Sequence, residues 1–204
     1  MSELNKIVEK YIDFEKRLRA FMDTICAQHC RNCDDVCCRQ EFCRETIESP
    51  FLSLLREKAP PLATYSSEFG WLTETGCALC MGRAPVCYEF LCTDILASQK
   101  TKFDRSMIKV LSALINHLGK NALGPRHLVE ILHKEDLHRL RLARFEKRLN
   151  DAEAGLNVVT TYLRNQSFDG RYLPILVRIT PSQVYVSKDF AKDEHRKQKS
   201  IFNN

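Results

Sequence analysis

The sequence predicts a mainly α-helical bundle with a cysteine-rich metal-binding region and a small C-terminal β-hairpin. Three observations lead there. Apolar residues recur at three- and four-residue steps over much of the chain. Glycine and proline are scarce, seven of each in 204 residues, which disfavours a sandwich, a barrel or a disordered chain. Ten cysteines fall into two groups, and none lies beyond Cys92. A chain of this length can bury a core of its own. Residues 1–92 carry a helix and the cysteines, residues 93–204 carry further helical pattern and a basic tail, and the two read as one compact unit.

The elements follow in order. Leu4, Ile7, Val8, Tyr11, Leu18, Phe21, Met22 and Ile25 form one stripe of an amphipathic helix. Ser49-Pro50 opens a second helical piece, PFLSLLREK, with Pro50 in its first turn. Residues 59–76, with a Pro pair, Ser, Thr, Gly and the single Trp71, read as loop. After Cys92, Thr93 or Asp94 is placed to cap a helix whose face is Met107, Val110, Leu111, Leu114, Ile115 and Leu118, with Gly119 as its stop. Gly124-Pro125 separates the next helix, which opens at His127 and breaks or bends near Asp136, where the apolar phase slips. A further helical stretch from Leu156 to Leu163 ends before Asp169-Gly170. ILVRIT, PSQ and VYVS (residues 175–187) suit a hairpin, and the tail beyond is frayed and mildly basic.

The net charge of +5 permits an acidic or nucleic-acid partner without implying one. The first 19 residues alternate acid and base and offer no signal-peptide core, and no segment approaches the roughly 18 apolar residues a bilayer span needs. The expected location is a reducing cytoplasm, with no membrane partner, where clustered cysteines bind metal more often than they form disulfides. His127, His133 and His138 fall on the predicted helix with Arg139, Arg141, Arg144, Lys147 and Arg148. Glu130, Glu135, Asp136 and Glu146 interleave with those bases, so the stretch reads as a solvated face laced with ion pairs rather than a nucleic-acid binding helix. The expected partner is a protein of unspecified kind. No catalytic constellation emerges.

The cysteines are Cys26, Cys30, Cys33, Cys37, Cys38 and Cys43, then Cys77, Cys80, Cys87 and Cys92. Thiolates two to four residues apart converge on one ion or cluster, because the backbone between them turns back within reach of metal–sulfur bonds of ~2.3 Å. All ten are therefore candidate ligands. A continuous helix would hold Cys26 and Cys37 roughly 16 Å apart, too far to share a metal, so a break is expected near RNCDD, residues 31–35. Only His29 lies near either group, and an all-thiolate donor set leans toward an iron–sulfur cluster, 4Fe-4S in type, with zinc as the alternative. Arg83, between Cys80 and Cys87, is placed either to donate to cluster sulfurs or to form a surface salt bridge. Trp71, Tyr88, Phe90 and Phe42 are placed to shield the centre or to serve as ordinary core.

Cys26-x3-Cys30-x2-Cys33 shares the cluster spacing of radical S-adenosylmethionine enzymes. The helical pattern before it, Asn32 where that family carries an aromatic residue, and the lack of alternating strands and helices downstream set that family aside. Cys30, Cys33, Cys37 and Cys38, followed by GCALCMGRAPVCYEFLC with Arg83, Pro85, Cys87 and Cys92, resemble the YkgJ-like family of zinc- or iron-chelating cysteine-cluster proteins. The chain departs by one extra residue before Cys37, by Ala84 between Arg83 and Pro85, and by the added thiols Cys43, Cys77 and Cys80. Over residues 26–92 the resemblance implies a small cysteine-ligated metal domain, and flagellin lysine methylases look like relatives that carry one. The expected function is a cytosolic iron–sulfur protein with a redox, sensing or electron-transfer task. A structural zinc-binding interaction module and a metal-dependent transferase are the alternatives.

Overall fold

The structure, a computed structural model, describes residues 2–30, 38–74 and 76–180. Among them the chain is mainly helical: α1 (Glu3–Cys30), α2 (Gln40–Glu48), α3 (Pro50–Lys58), α4 (Val86–Glu89), α5 (Thr93–Ala97), α6 (Lys102–Gly119), α7 (Leu142–Asn165) and α8 (Leu173–Ile179). Two short strands, β1 (Leu72–Thr73) and β2 (Gly76–Cys77), pair antiparallel, Leu72 opposite Cys77. No helix among the described residues is long and apolar enough to cross a membrane.

The chain folds around α6. Phe103, Met107, Ile108, Val110, Leu111, Leu114, Ile115 and Leu118 are all buried on it, an apolar surface that wraps most of its circumference and leaves Lys102, Arg105 and Lys109 exposed on the remaining stripe. It packs against α7, α8, α4 and α1, and one contiguous core runs from Ile7 to Ile179. α1 contributes Ile7, Val8, Tyr11, Phe14, Leu18 and Met22, spaced three and four apart, and Glu15 is buried in the same stripe. α7 contributes Phe145, Leu149, Ala152, Leu156, Val159 and Tyr162. Ser49 caps α3 as expected, its hydroxyl accepting from Leu52 N at 3.4 Å, with Pro50 in the first turn.

Several elements differ from the sequence reading, each for a local reason. α6 starts at Lys102 rather than near Thr93. Thr101 and Asp104 form a capping box, and the second Asp104 oxygen accepts from the Tyr162 hydroxyl at 2.8 Å. Residues 93–97 form a separate single turn. The helix predicted from His127 is two 3-10 turns, Leu128–Glu130 and Lys134–Arg139, so His127, His133 and His138 share no helical face. Leu128, Val129, Ile131, Leu137 and Leu140 are buried at irregular steps that satisfy the core without a helical period. Asp136 pairs with Arg126 at 3.3 Å and Arg139 at 2.9 Å, and Lys10 pairs with Glu146 at 3.2 Å, the ion-paired surface the charge pattern suggested. The part of the helix predicted from His127 that lies beyond its break, through Leu149, and the separate stretch predicted at Leu156–Leu163 are one helix, α7.

The predicted C-terminal hairpin is replaced, in its first half, by α8. Pro174 sits in its first turn, and Leu176 and Ile179, three apart, are buried on one face, a helical spacing. Arg178 reaches Asp151 of α7 at 2.7 Å. Residues 181–187 lie outside the described residues. The paired strands among the described residues, Leu72–Thr73 and Gly76–Cys77, lie instead at the end of the predicted loop.

Gly119 does end α6, but through packing. A Cβ there would stand 2.1 Å from the His127 ring. That ring is fixed by two bonds: Nδ1 accepts from Val129 N at 3.3 Å, so Nε2 carries the proton and donates to the Asn116 carbonyl at 3.0 Å. Gly119→Ala is therefore expected to destabilise the fold by about 1–3 kcal/mol, measured by urea denaturation.

Burial lowers the pKa of His127 and of His117, whose Nε2 lies 3.7 Å from an Asp151 oxygen that pulls the other way. Both imidazoles bind protons more readily when unfolded, at about 6.5. The stability they support is complete above that value and drains as pH falls through their depressed native values. Burial raises the pKa of Glu15, which acts in the opposite sense, so a variant comparison isolates the imidazoles. The fall in urea midpoint between about pH 7 and pH 5 is expected to be shallower in His127→Gln than in the native chain, and equal slopes would refute the assignment.

Candidate metal centre

The second cysteine group is held by side chains of α1, α2 and α3. Arg19 on α1 donates to the carbonyls of Leu79 and of Cys80, the latter at 2.6 Å. One turn earlier, the fully buried Glu15 carboxylate accepts from Gly82 N at 2.9 Å, Arg83 N at 3.1 Å and the Tyr88 hydroxyl at 2.8 Å. On α2, Thr46 Oγ1 accepts from Ala84 N at 3.1 Å, and Arg56 of α3 donates to the Thr46 carbonyl. The backbone from Leu79 to Ala84 is thereby tied down almost residue by residue. Gly82 permits this approach: its φ is +77°, and a Cβ would stand 3.0 Å from the Leu52 carbonyl.

Cys43 on α2 is buried with Trp71, Ala78 and Leu79, and Cys77 packs against the same cluster. Gly70, at φ +63°, makes room there, since a Cβ would lie 2.6 Å from the Cys43 sulfur. Trp71 stacks edge-on with Tyr65, centroids 4.9 Å apart, and the Arg56 guanidinium lies 5.5 Å from its ring. Phe42 and Phe90 meet at 5.9 Å. Tyr88 is buried and spends its hydroxyl on Glu15.

Thiols from both groups act on the charge of Cys87. Burial pushes the Cys87 thiol up to about 12; the Arg83 guanidinium opposes this, and Cys77, Cys38 and Cys43 are near enough to add to it. Cys43 is likewise raised by burial, eased by the Trp71 N–H and raised further by Cys77. Burial works against the Arg83 charge, but Tyr88, Cys77, Asp23 and Cys87 outweigh it and hold its pKa above the ordinary value. Among the described residues Arg83 makes no ion pair within 4.0 Å. Its Nε is buried and has no hydrogen-bond partner among the described residues.

The remaining candidates divide. Cys26 sits half-buried on α1, and Cys80 half-buried in the tethered segment. Cys92 caps α5, its sulfur accepting from Ile95 N at 3.5 Å. Cys30 ends α1, and its side chain lies outside the described residues, as do Cys33, Cys37 and the break expected near RNCDD. Cys43, Cys77, Cys80, Cys87 and Cys92 are thiols in no disulfide. Among the described residues no three His, Cys, Asp or Glu side chains are grouped closely enough to hold a metal ion. The thiols acting on Cys87 are of the soft donor type that a thiolate-bound group uses. The gathered side chains are all soft sulfur ligands, and a buried guanidinium nitrogen beside them lacks an acceptor that thiolate or sulfide would supply.

Sequence reasoning missed Glu15, the group that fixes this segment. Its signal was present: an acidic residue inside an otherwise apolar stripe, four residues after Tyr11 and three before Leu18. Comparison of the chain with protein-family models, curated proteins and solved structures finds no match.

Glu15→Gln would turn an amide N–H₂ toward groups that are themselves donors. The expected cost is about 1–3 kcal/mol per stranded buried donor, and Tyr88→Phe should cost less, since it removes a donor and strands none. Urea denaturation of the two variants checks the order.

Proposed function

We propose that this chain is a metal-binding protein holding a cysteine-ligated iron–sulfur cluster, with redox, sensing or electron transfer as its task and the cytoplasm as its location. What supports the reading is that Cys38 and Cys43, from before the long loop, and Cys77, from after it, lie near enough to Cys87 to act on its charge, with the half-buried Arg83 acting on Cys87 as well. These four would be the principal ligands, and the YkgJ-like resemblance adds Cys30, Cys33, Cys37 and Cys92 as further candidates. A bound cluster supplies one-electron chemistry at a potential set by burial, charge and hydrogen bonds to sulfur.

The chain's own residues do the rest. Glu15, Arg19 and Thr46 hold the ligand-bearing backbone before any metal arrives, which lowers the ordering cost of binding. Trp71, Ala78 and Leu79 exclude water from the Cys43 side, and Phe42 with Phe90 covers another part of the surface.

Anaerobically purified protein is expected to be brown, with broad visible absorption and stoichiometric iron and sulfide. Cys77→Ser and Cys87→Ser should each lose the colour, and removing the metal with a chelator should lower the melting temperature. Colourless protein with bound zinc would establish the structural zinc module instead. Protein that takes up no metal in either form would overturn the reading.

A further inference from the structure

We propose that the docking of α8 is a proton-sensitive clasp, opened when the buried His117 ring of α6 takes up a proton. His117 and Arg178 of α8 face the same carboxylate, Asp151 of α7. The inference stands apart from the metal reading and uses none of the cysteines. Asp151 Oδ1 accepts from Arg178 Nη2 at 2.7 Å, and Oδ2 accepts from Arg178 Nε at 3.3 Å, a two-point fork that ties α8 to α7. The same Oδ2 lies 3.7 Å from His117 Nε2. One carboxylate thus stands between a permanent cation and a ring that becomes a second cation on protonation.

The surroundings decide which way the proton acts. His117 is buried, and neither ring nitrogen makes a hydrogen bond among the described residues. Burial is the largest effect on the ring and opposes its charge, as do Lys120, just past α6, and Arg148 on α7. Asp151 and, from outside hydrogen-bond geometry, the Arg178 main chain favour the charge without prevailing. Lys147 faces Asp151 as well, and Arg171, on the turn before α8, is spent on Asp169. α8 itself is seven residues long and is seated by Leu176 and Ile179. Gly155 of α7 admits it, since a Cβ there would stand 2.5 Å from Ile179 Cδ1. So short a helix does not persist alone in water, and leaving the core unwinds it. Its departure removes Arg178 and opens the His117 ring to water, where protons bind at the ordinary value of about 6.5. Docking is therefore complete above that value and weakens as pH falls toward the lower native one. Between the two, each release takes up one proton, and the undocked fraction grows about tenfold per pH unit.

The test is hydrogen exchange of the full chain between about pH 7.5 and about pH 5, with protection corrected for intrinsic exchange. The amides of Val177, Arg178, Ile179 and Thr180 report on α8, and those of Leu111 and Leu114 report on α6. The α8 amides are expected to be less protected than the α6 amides at every pH, because α8 opens on its own. Their protection should fall about tenfold per pH unit below about pH 6.5. In His117→Gln that fall should vanish. Arg178→Gln should lower α8 protection near neutral pH yet make the fall shallower, because Asp151 is then left to pair with the protonated ring. Circular dichroism checks the fold, and Arg178→Gln, an exposed position, carries the test if His117→Gln does not fold. Equal protection of the α8 and α6 amides would mean that α8 opens only with the whole molecule and would overturn the clasp. So would native α8 protection that is flat across the range, or a fall left unchanged in a folded variant.

Discussion

The arrangement of the cysteine segment depends on one buried carboxylate. Glu15 sits fully inside the apolar stripe of α1, where burial alone would push it toward its neutral form. Gly82 N, Arg83 N and the Tyr88 hydroxyl supply the donors that make the position tenable. The bargain is mutual. Two backbone N–H groups of a loop that lacks regular structure find their acceptor there, and Tyr88 delivers its hydroxyl from α4, the short helix that carries Cys87. Thr46 and Arg19 extend the same logic to Ala84 and Cys80. A stretch that would be a surface loop becomes part of the interior because side chains of α1 and α2 answer its polar groups.

Much of the helical frame was legible in the sequence because its signals are local. The three- and four-residue spacing from Ile7 to Met22, the Ser49-Pro50 start and the stop at Gly119 each act within a turn or two. What was not legible depended on contacts distant in sequence. ILVRIT has the β-branched composition of a strand, yet Leu176 and Ile179 find a place in the core that accepts only a helical face. HLVEILHKEDLHRL has helical composition, yet its apolar residues are drawn inward at irregular steps and the chain settles for 3-10 turns. The true start of α6 lay in Thr101 and Asp104, a capping box four residues beyond α5, which the nearer Thr93 and Asp94 overshadowed.

The candidate site was legible in kind and not in construction. Ten cysteines in two groups on a helical chain mark a sulfur-rich stretch whatever the fold, and Cys38, Cys43 and Cys77 lie near enough to Cys87 to act on its charge. Arg83 was singled out by its place between Cys80 and Cys87, but nothing in the spacing indicated that Gly70 and Gly82 would be the residues whose missing side chains permit the close approaches there. Aromatic cover was anticipated by proximity in sequence, and Trp71 meets it, whereas Tyr88 turned its hydroxyl to structural use.

The span of the Glu15 latch carries a consequence for assembly order. It joins residues 67 positions apart, and the core against which α1 lies is completed by α6 and α7, which follow every cysteine in the chain. Closing so long a loop has an entropic cost that local contacts do not offset, so the thiols stay unorganised until distant helices have docked. In a chain emerging from its N-terminal end, all ten cysteines are made before α6 and α7. Protection of those thiols during synthesis then falls to the reducing power of the surroundings rather than to the fold.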